Sequence, residues 1–497
     1  MASLKTLAKD TAIYGASSII GRFLNYLLVP LYTAQISAAS GGYGVITNVY
    51  AYTALLMIIL TYGMETTFFR YANKQEENPD KVYGTTLSSV GFTSLLFILL
   101  VMGFLPSIAG WMKYPDHPEY IATMGVCIAI DAFQCIPFAY LRYKKRPIKF
   151  AGIKLFNIFL NIGLNMAYFL LLPALGLNPG GIYGADGHTF NVAWVFYINL
   201  FCSASLFLFF IPELKGFRFG FDGALLRRML GYSWPILVSG VAGILNQTAD
   251  KILFPYIYTA ADVHTQLGIY GAASKIAMIM AMITQAFRYA YEPFVFGNAH
   301  EKDSKEMYAK AMRYFIIFTL TAFLMVMAWI DVLKYIIAPD YWEGLKVVPI
   351  VMAAEIMMGV LVNLSFWYKL IDKTMWGALF AGVGCLVLVA VNVLLVPRIG
   401  YMACAWGGFA GYGVAMVMSY LVGRHYNPIH YPLRDIAMYV VLAAVLFAIG
   451  MMVNFDNIWL ATACRTVLLA LFIAVIFKRE HLAPMLARLP GVGRFFS

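Results

Sequence analysis

TAIYGASSIIGRFLNYLLVPLYTAQ, residues 11–35, is apolar for long enough to cross a bilayer as a helix, since about 20 helical residues span the hydrocarbon core. Arg22 and Asn25 nevertheless sit near its middle, and Pro30 interrupts it further on. An arginine at mid-depth costs about 2.5–3.5 kcal/mol on insertion scales, so it must face protein or water and not lipid. Arg22 and Asn25 are three residues apart and share a helical face. Gly15 and Gly21 beside them permit close approach of a neighbouring helix. The stretch therefore predicts the first of many transmembrane helices arranged around a polar cavity.

Composition agrees. Of 497 residues, 61% are hydrophobic and only 12% are charged, against roughly 25% charged in soluble domains. This is an all-α polytopic membrane protein. Its net charge of +11 comes without the basic, aromatic-interleaved platform of a nucleic-acid binder, and that class is excluded. The first apolar stretch is too long and too charged for a cleavable signal and reads as a permanent span. Cys127, Cys135, Cys202, Cys385, Cys404 and Cys464 all fall in apolar stretches without CxxC spacing. They read as buried free thiols, with no metal and no cofactor implied.

Fourteen apolar segments are expected, at about 11–35, 45–64, 85–110, 120–141, 150–172, 190–211, 230–255, 267–290, 312–333, 346–370, 375–397, 401–423, 434–453 and 458–477. With the N-terminus placed in the cytoplasm, about 26 of the 36 Lys and Arg fall in cytoplasmic segments and about 4 on the opposite face. That bias predicts both termini inside. The richest loop, RYKKRPIKF at Arg142–Phe150, carries this positive-inside signal and also suits anionic lipid headgroups.

A repeat runs through the chain. Pro30, Tyr43-Gly44 and Glu65 are spaced much as Pro255, Tyr270-Gly271 and Glu292, and Asn25 then aligns with Asp250. Pro173, Gly176 and Gly184 match the spacing of Pro397, Gly400 and Gly408. Spans one to six thus parallel spans seven to twelve, and an even number of spans per unit makes the repeats parallel. The expected division is an N-terminal lobe at 1–215, a second lobe at 216–425, and two further helices with a cytoplasmic tail at 426–497.

Polar residues within spans are the candidates for function. Arg22 and Asn25 form either an anion site in a hydrated cavity or a structural pair with a carboxylate such as Asp131 or Glu65. Span seven carries Asn246, Asp250 and Lys251. Asn246 and Asp250 share a face, whereas adjacent Asp250 and Lys251 point about 100° apart and are not expected to pair only with each other. Span eight carries Lys275, a candidate cavity residue, and Arg288, which also has room to snorkel. Lys154 is expected to snorkel, and Arg465 lies outside the repeat. Glu65, Asp131, Glu292 and Glu355 are candidates for ion coupling or gating. No GxSxG, HExxH or Walker A sequence is present, so no catalytic residue is assigned and the chain does not read as an enzyme.

The runs GRFLNYLLVPLYT, GGYGVITNVYAY and YGMETTFFRYANK, then DAFQCIPFAYLRYKKRPIKFAGIKLFNIFLNIGLN, then NQTADKILFPYI with GIYGAASKIAMIMAMITQAFRYAYEPFVF, resemble the polysaccharide (oligosaccharide) flippases of the multidrug/oligosaccharidyl-lipid/polysaccharide exporter superfamily. The resemblance extends from residue 10 to about 425. It implies two six-helix lobes in a V plus two C-terminal helices, and a cationic cavity lined by spans one, two, seven and eight. It also implies transfer of a polyprenyl-pyrophosphate-linked oligosaccharide, an O-antigen, capsule or exopolysaccharide precursor, to the outer leaflet. By position, the candidates for the cavity cations it implies are Arg22 on span one and either Lys275 or Arg288 on span eight.

Elementary physics fits that expectation. A pyrophosphate head with its sugars cannot cross about 30 Å of hydrocarbon unaided, and fixed Arg and Lys replace its solvation by charge-assisted hydrogen bonds. Expected partners are the lipid-linked oligosaccharide, membrane lipids, a coupling proton or sodium ion, and a glycan polymerase and glycosyltransferases. The competing readings are a multidrug/cation antiporter of the same superfamily, which would want an acidic cavity, and a membrane glycan polymerase or ligase, which would want a catalytic outer loop.

Overall fold

The computed structural model describes residues 23–24, 26–177, 190–297, 303–371, 373–453, 455 and 457–480. Arg22 and Asn25 lie outside the described residues, as does the side chain of Glu292. The helices that matter below are α1 Leu28–Gln35, α2 Gly42–Thr61, α3 Met64–Ala72, α4 Pro79–Gly103, α5 Pro118–Tyr143, α6 Pro147–Met166, α7 Ala193–Ser205, α8 Gly223–Ile257, α9 Val263–Gly297, α10 Ser304–Ala328, α11 Val348–Leu364, α12 Met375–Ile399, α13 Met402–Tyr426, α14 Leu433–Met452 and α15 Ile458–Arg479.

Thirteen helical stretches among the described residues are long and apolar enough to cross a membrane. Together with the expected first span, which is only partly described, they account for the fourteen expected segments. The protein is a multi-pass membrane protein. A helix satisfies its own backbone groups, which hydrocarbon demands of any spanning segment. Large apolar side chains lie exposed along these helices, such as Phe92 (68%) and Val467 (67%), as lipid-facing surfaces require.

Local sequence sets where the helices start. Asn78 accepts a hydrogen bond from Asp80 N at 3.0 Å, with Pro79 in the first turn of α4. Asn457 caps α15 by accepting from Trp459 N at 2.9 Å. Asp222 caps α8 by accepting from Leu225 N at 3.0 Å, and this backbone bond, with Lys81 at 3.4 Å, holds its carboxyl below the ordinary value. Such caps satisfy amides that the first turn leaves without partners.

The repeat has a structural signature at its ends. Gly176 and Gly400 both adopt left-handed backbone, φ +65° and +57°, each three residues after a proline in a helix's last turns. Gly176 N donates to Pro173 O at 3.0 Å and Gly400 N to Val396 O at 2.9 Å. Glycine tolerates that conformation without a Cβ penalty and ends a helix sharply. The matched Pro and Gly spacing therefore encodes one helix stop, used twice.

By packing, the chain forms two compact units. One comprises 1–272 with 377–411, the other 273–376 with 412–497. In the first unit α5 packs on α2 and α4, and α8 runs along α2. Its core includes Phe68, Val82, Tyr83, Leu87, Ile136 and Met229, with Tyr83 and Tyr140 rings stacked at 3.9 Å. In the second unit α10 packs against α11, α14 and α15.

The C-terminal helix pair is held to α10 by one ion-pair cluster around Arg313. Arg313 Nη2 meets Glu480 at 2.7 Å, and Asp435, which lies 3.6 Å from Arg313, also takes Arg479 at 2.6 Å. Elsewhere in the unit, Arg465 Nη1 pairs with Asp331 at 2.5 Å while its other nitrogens donate to Gly450 O and Val453 O, both at 3.0 Å. Arg465 is thus a structural pin. All six cysteines are free, with Cys127, Cys202 and Cys404 buried and Cys135, Cys385 and Cys464 half-buried.

Candidate functional site

The polar residues of span seven are built into a network. Asn246 is buried and its amide donates within its own helix to Ala242 O at 2.9 Å and across to Ala381 O of α12 at 2.6 Å. One turn on, Asp250 is buried and accepts from Tyr270 OH at 2.6 Å and from Lys251 Nζ at 3.1 Å through both carboxylate oxygens. The flexible lysine stem closes the 100° angle between neighbours. Lys251 Nζ also donates to Gln247 O at 3.0 Å. The two charges thus form an ion pair with each other, and Tyr270 OH and Gln247 O add neutral partners.

The network extends to α2. Asn48 Nδ2 donates to Lys251 O at 2.7 Å, and Tyr114 OH donates to Asn48 Oδ1 at 2.9 Å. Nearby, the hydroxyls of Tyr52 and Tyr256 are 2.8 Å apart, and Tyr256 OH donates to Trp111 O at 3.0 Å. A buried polar group left without a partner costs about 1–3 kcal/mol, so these bonds fix how α2, α8 and α9 meet. Tyr270 marks the repeat in the sequence, but none of Asn48, Tyr114 and Tyr270 was a candidate site residue there. Their signal there was weak, because buried Asn and Tyr in spans are common packing residues.

Lys251→Met is accordingly expected to destabilise the purified protein by about 3 kcal/mol, because it leaves the Asp250 carboxylate buried without its cation. Adding Asp250→Asn should recover most of that loss. Thermal melting in detergent checks both, and a melting point unchanged by Lys251→Met would remove the pair from the stability account.

The remaining candidates are dispersed. Lys275 is half-buried and Arg288 exposed on the same helix, α9. Thirteen residues separate them, about 20 Å along the axis and about 140° around it, so they do not converge on one atom of a ligand. Glu65 lies in the first turn of α3, where the helix dipole favours a carboxylate, and pairs with Arg142 at 2.6 Å. Span two is interrupted just before it. Tyr62 and Gly63 both adopt left-handed backbone, φ +33° and +71°, and split the span into α2 and α3.

Asp131 is half-buried on α5, its carboxylate 3.9 Å from the Cys127 thiol. Lys154 acts electrostatically on it from α6. Lys154 is expected from the sequence to snorkel. It instead lies half-buried, 4.2 Å from the centre of the Phe138 ring, because a carboxylate and an aromatic face both lie within its reach. Glu355 is half-buried on α11 in the second unit. No group of three metal-ligating side chains occurs among the described residues.

The structure thus brings Asn246, Asp250 and Lys251 into one network with Asn48, Tyr114 and Tyr270, sets Asp131 with Lys154, and sets Glu65 with Arg142. Each arrangement sets a carboxylate beside a cation.

Comparison with known proteins adds the following. A family model described as "Polysaccharide biosynthesis protein" matches residues 40–347. "Lsg locus putative protein 1" of Haemophilus influenzae is 20% identical over 374 residues, covering 73% of this chain and 86% of that protein. Among solved structures, lipid II flippase MurJ in an inward closed conformation superposes with a TM-score of 0.71 at 11% identity, over 94% of this chain and 98% of that one. An inward-facing multidrug resistance MATE family transporter of the MOP superfamily gives 0.61 at 15% identity, over 81% and 93%. At those identities the likeness is one of fold.

Proposed function

The chain belongs to the polysaccharide biosynthesis protein family, and on that premise we propose that it is a flippase for a polyprenyl-pyrophosphate-linked oligosaccharide, a precursor of O-antigen, capsule or exopolysaccharide. It moves the headgroup from the cytoplasmic to the outer leaflet of the bacterial inner membrane by alternating access between its two repeats. The observation that carries this reading is the family match on a chain whose fold is shared with a lipid II flippase along almost its whole length.

Charge supports it. In this reading Arg22, Lys275 and Arg288 supply cations to the pyrophosphate and sugars along the path, Asn25 and the Asn246–Asp250–Lys251 turn line it, and Glu65, Asp131, Glu292 and Glu355 serve ion coupling or gating. Lys275 and Arg288 stand about 20 Å apart on one helix, a spacing that suits successive stations for a moving headgroup better than one site. The lipid tail stays in hydrocarbon. A membrane potential negative inside favours outward movement of each uncompensated negative charge by about 2.3 kcal/mol per 100 mV.

The test is direct. Membrane vesicles of a strain lacking this protein should accumulate lipid-linked oligosaccharide in the cytoplasmic leaflet, and restoring the chain should clear it. Leaflet distribution that does not change on restoration would refute the flippase. The MATE-like fold gives a second reading, a multidrug/cation antiporter. It predicts instead a change in efflux of cationic dyes with no change in leaflet distribution.

A further inference from the structure

ELKGFRFGFD, residues 213–222, links the sixth span, which ends at Phe210, to α8. Its first part, Glu213–Phe219, is a 3₁₀ turn strapped across the start of α4. Tyr83 OH donates to Glu213 O at 3.0 Å, and Asp222 N donates to Thr85 Oγ1 at 3.1 Å. Between these two bonds the backbone lies flat on the helix. A Cβ on Gly216 would collide with the Tyr83 ring, and one on Gly84 would stand 2.7 Å from Gly220 O. Lys149 Nζ donates to both carboxylate oxygens of buried Glu213, at 2.7 and 2.8 Å, and so ties the start of α6 to the same strap.

With its backbone against the protein, the strap turns its side chains outward. Lys215, Phe217, Arg218, Phe219 and Phe221 are all exposed, Phe221 to 58%. The turn at the start of α6 has the same make-up, with Lys145 and Arg146 exposed and Ile148 exposed to 80%. Carboxylates at this end of the spans are already matched. Glu65 pairs with Arg142, Glu77 with Arg228 at 3.0 Å, Asp80 with Lys144 at 3.9 Å, and Asp222 with Lys81 at 3.4 Å. Lys145, Arg146, Lys215 and Arg218 belong to none of these pairs. Four cations therefore face outward among four exposed apolar side chains. A loop that served only the positive-inside bias would need the charge and not the phenylalanines. A segment lying in the membrane interface needs both, since its apolar side chains enter the acyl boundary while Lys and Arg stay among the headgroups.

We propose that the 215–221 strap and the 145–148 turn together form a binding surface for an anionic phospholipid of the adjoining leaflet, the cytoplasmic one by the Lys and Arg distribution. Lys145, Arg146, Lys215 and Arg218 take the headgroup phosphate by charge-assisted hydrogen bonds. Phe217, Phe221 and Ile148 lie beside the acyl chains. The lipid holds the link between the two repeats in the headgroup plane. Tyr83, Gly84, Thr85 and Lys149, which fix the strap, are not among the charges assigned to the headgroup path, so the surface is a lipid contact and not a station for the sugar-bearing substrate. It requires only that the chain spans a membrane, and it stands whether or not the chain is a flippase.

The test titrates the full chain, purified in detergent, with phosphatidylglycerol or phosphatidylcholine and counts bound lipid by native mass spectrometry. Wild type is expected to retain phosphatidylglycerol in preference to phosphatidylcholine, and rising salt should release it. Equal retention of the two lipids, or retention indifferent to salt, would overturn the surface without recourse to any variant. Lys145→Gln, Arg146→Gln, Lys215→Gln and Arg218→Gln remove charge at exposed positions. Each should weaken phosphatidylglycerol binding about fivefold, the factor one basic residue contributes beside an anionic surface, and leave phosphatidylcholine binding unchanged. Unchanged phosphatidylglycerol binding in the fourfold variant would overturn the assignment. Phe217→Ser with Phe221→Ser keeps every charge and should weaken both lipids alike, whereas full binding would remove the phenylalanines from the surface. Displacement of phosphatidylglycerol from wild type by an equimolar polyprenyl diphosphate would give the surface to the transported lipid and overturn the phospholipid assignment.

Discussion

Replacing Lys275 by alanine is expected to reduce transfer of lipid-linked oligosaccharide by about 10- to 100-fold, with the protein still present in the membrane at wild-type abundance. A hydrogen bond to a charged group is worth about 1.5–3 kcal/mol, and a loss of that size in the rate-determining complex gives the stated range. Arg22→Ala should do the same, and the double replacement should bring surface glycan to background. The charge-conserving Lys275→Arg should retain transfer far better than Lys275→Met, which keeps most of the apolar stem and removes the charged head. That pair of variants separates a cation needed by the substrate from a stem needed for packing. Wild-type transfer in Lys275→Met would refute the cationic path at α9, and wild-type transfer in the double alanine variant would refute it altogether.

The same variants bear on what the sequence made legible. Pattern along the chain read well. Spans, their number and the repeat follow from hydropathy and from short spacings, and Gly176 and Gly400 show why: each spacing encodes one local event, a helix ended by a left-handed glycine. Gly63 carried a similar signal for the break in span two, but Tyr62 beside it hid the second left-handed residue. Partners across the fold did not read. Arg142 and Glu65 are 77 residues apart, and Asn48 and Lys251 are 203 apart. Nothing local marks such pairs, because a side chain's partner in a helix bundle is set by tertiary packing. Lys154 shows the cost. Its position near a span end predicts snorkelling, yet the Phe138 ring and the Asp131 charge keep it among the helices. Family read more readily than site for the same reason. The order and spacing of motifs identify a family, whereas the charges that a substrate meets depend on which of them the fold has already neutralised.

Arg465 offers the second large effect. Its guanidinium makes three bonds with three different groups, Asp331, Gly450 O and Val453 O, and its side chain is only 11% exposed. Arg465→Leu is expected to destabilise the protein by about 3 kcal/mol, the lower part of the range for breaking a buried pair, since Asp331 is itself 27% exposed and water can reach it. Asp331→Asn should cost less, because it leaves an amide able to accept a hydrogen bond from Arg465. The two replacements together should cost less than the sum of each, a coupling that a double-mutant cycle in detergent melting would read directly. Arg465→Lys should not rescue, because an ammonium cannot satisfy a carboxylate and two carbonyls in the planar fork that guanidinium provides. If Arg465, through Asp331 just after α10, and the Arg313–Glu480 pair together fasten these helices, then Arg465→Leu with Glu480→Gln should free them, and limited proteolysis should cut between α14 and α15 at a rate that neither single change produces. Unchanged proteolysis in the double variant would mean that apolar packing of α14 and α15 on α10 suffices without the ion pairs.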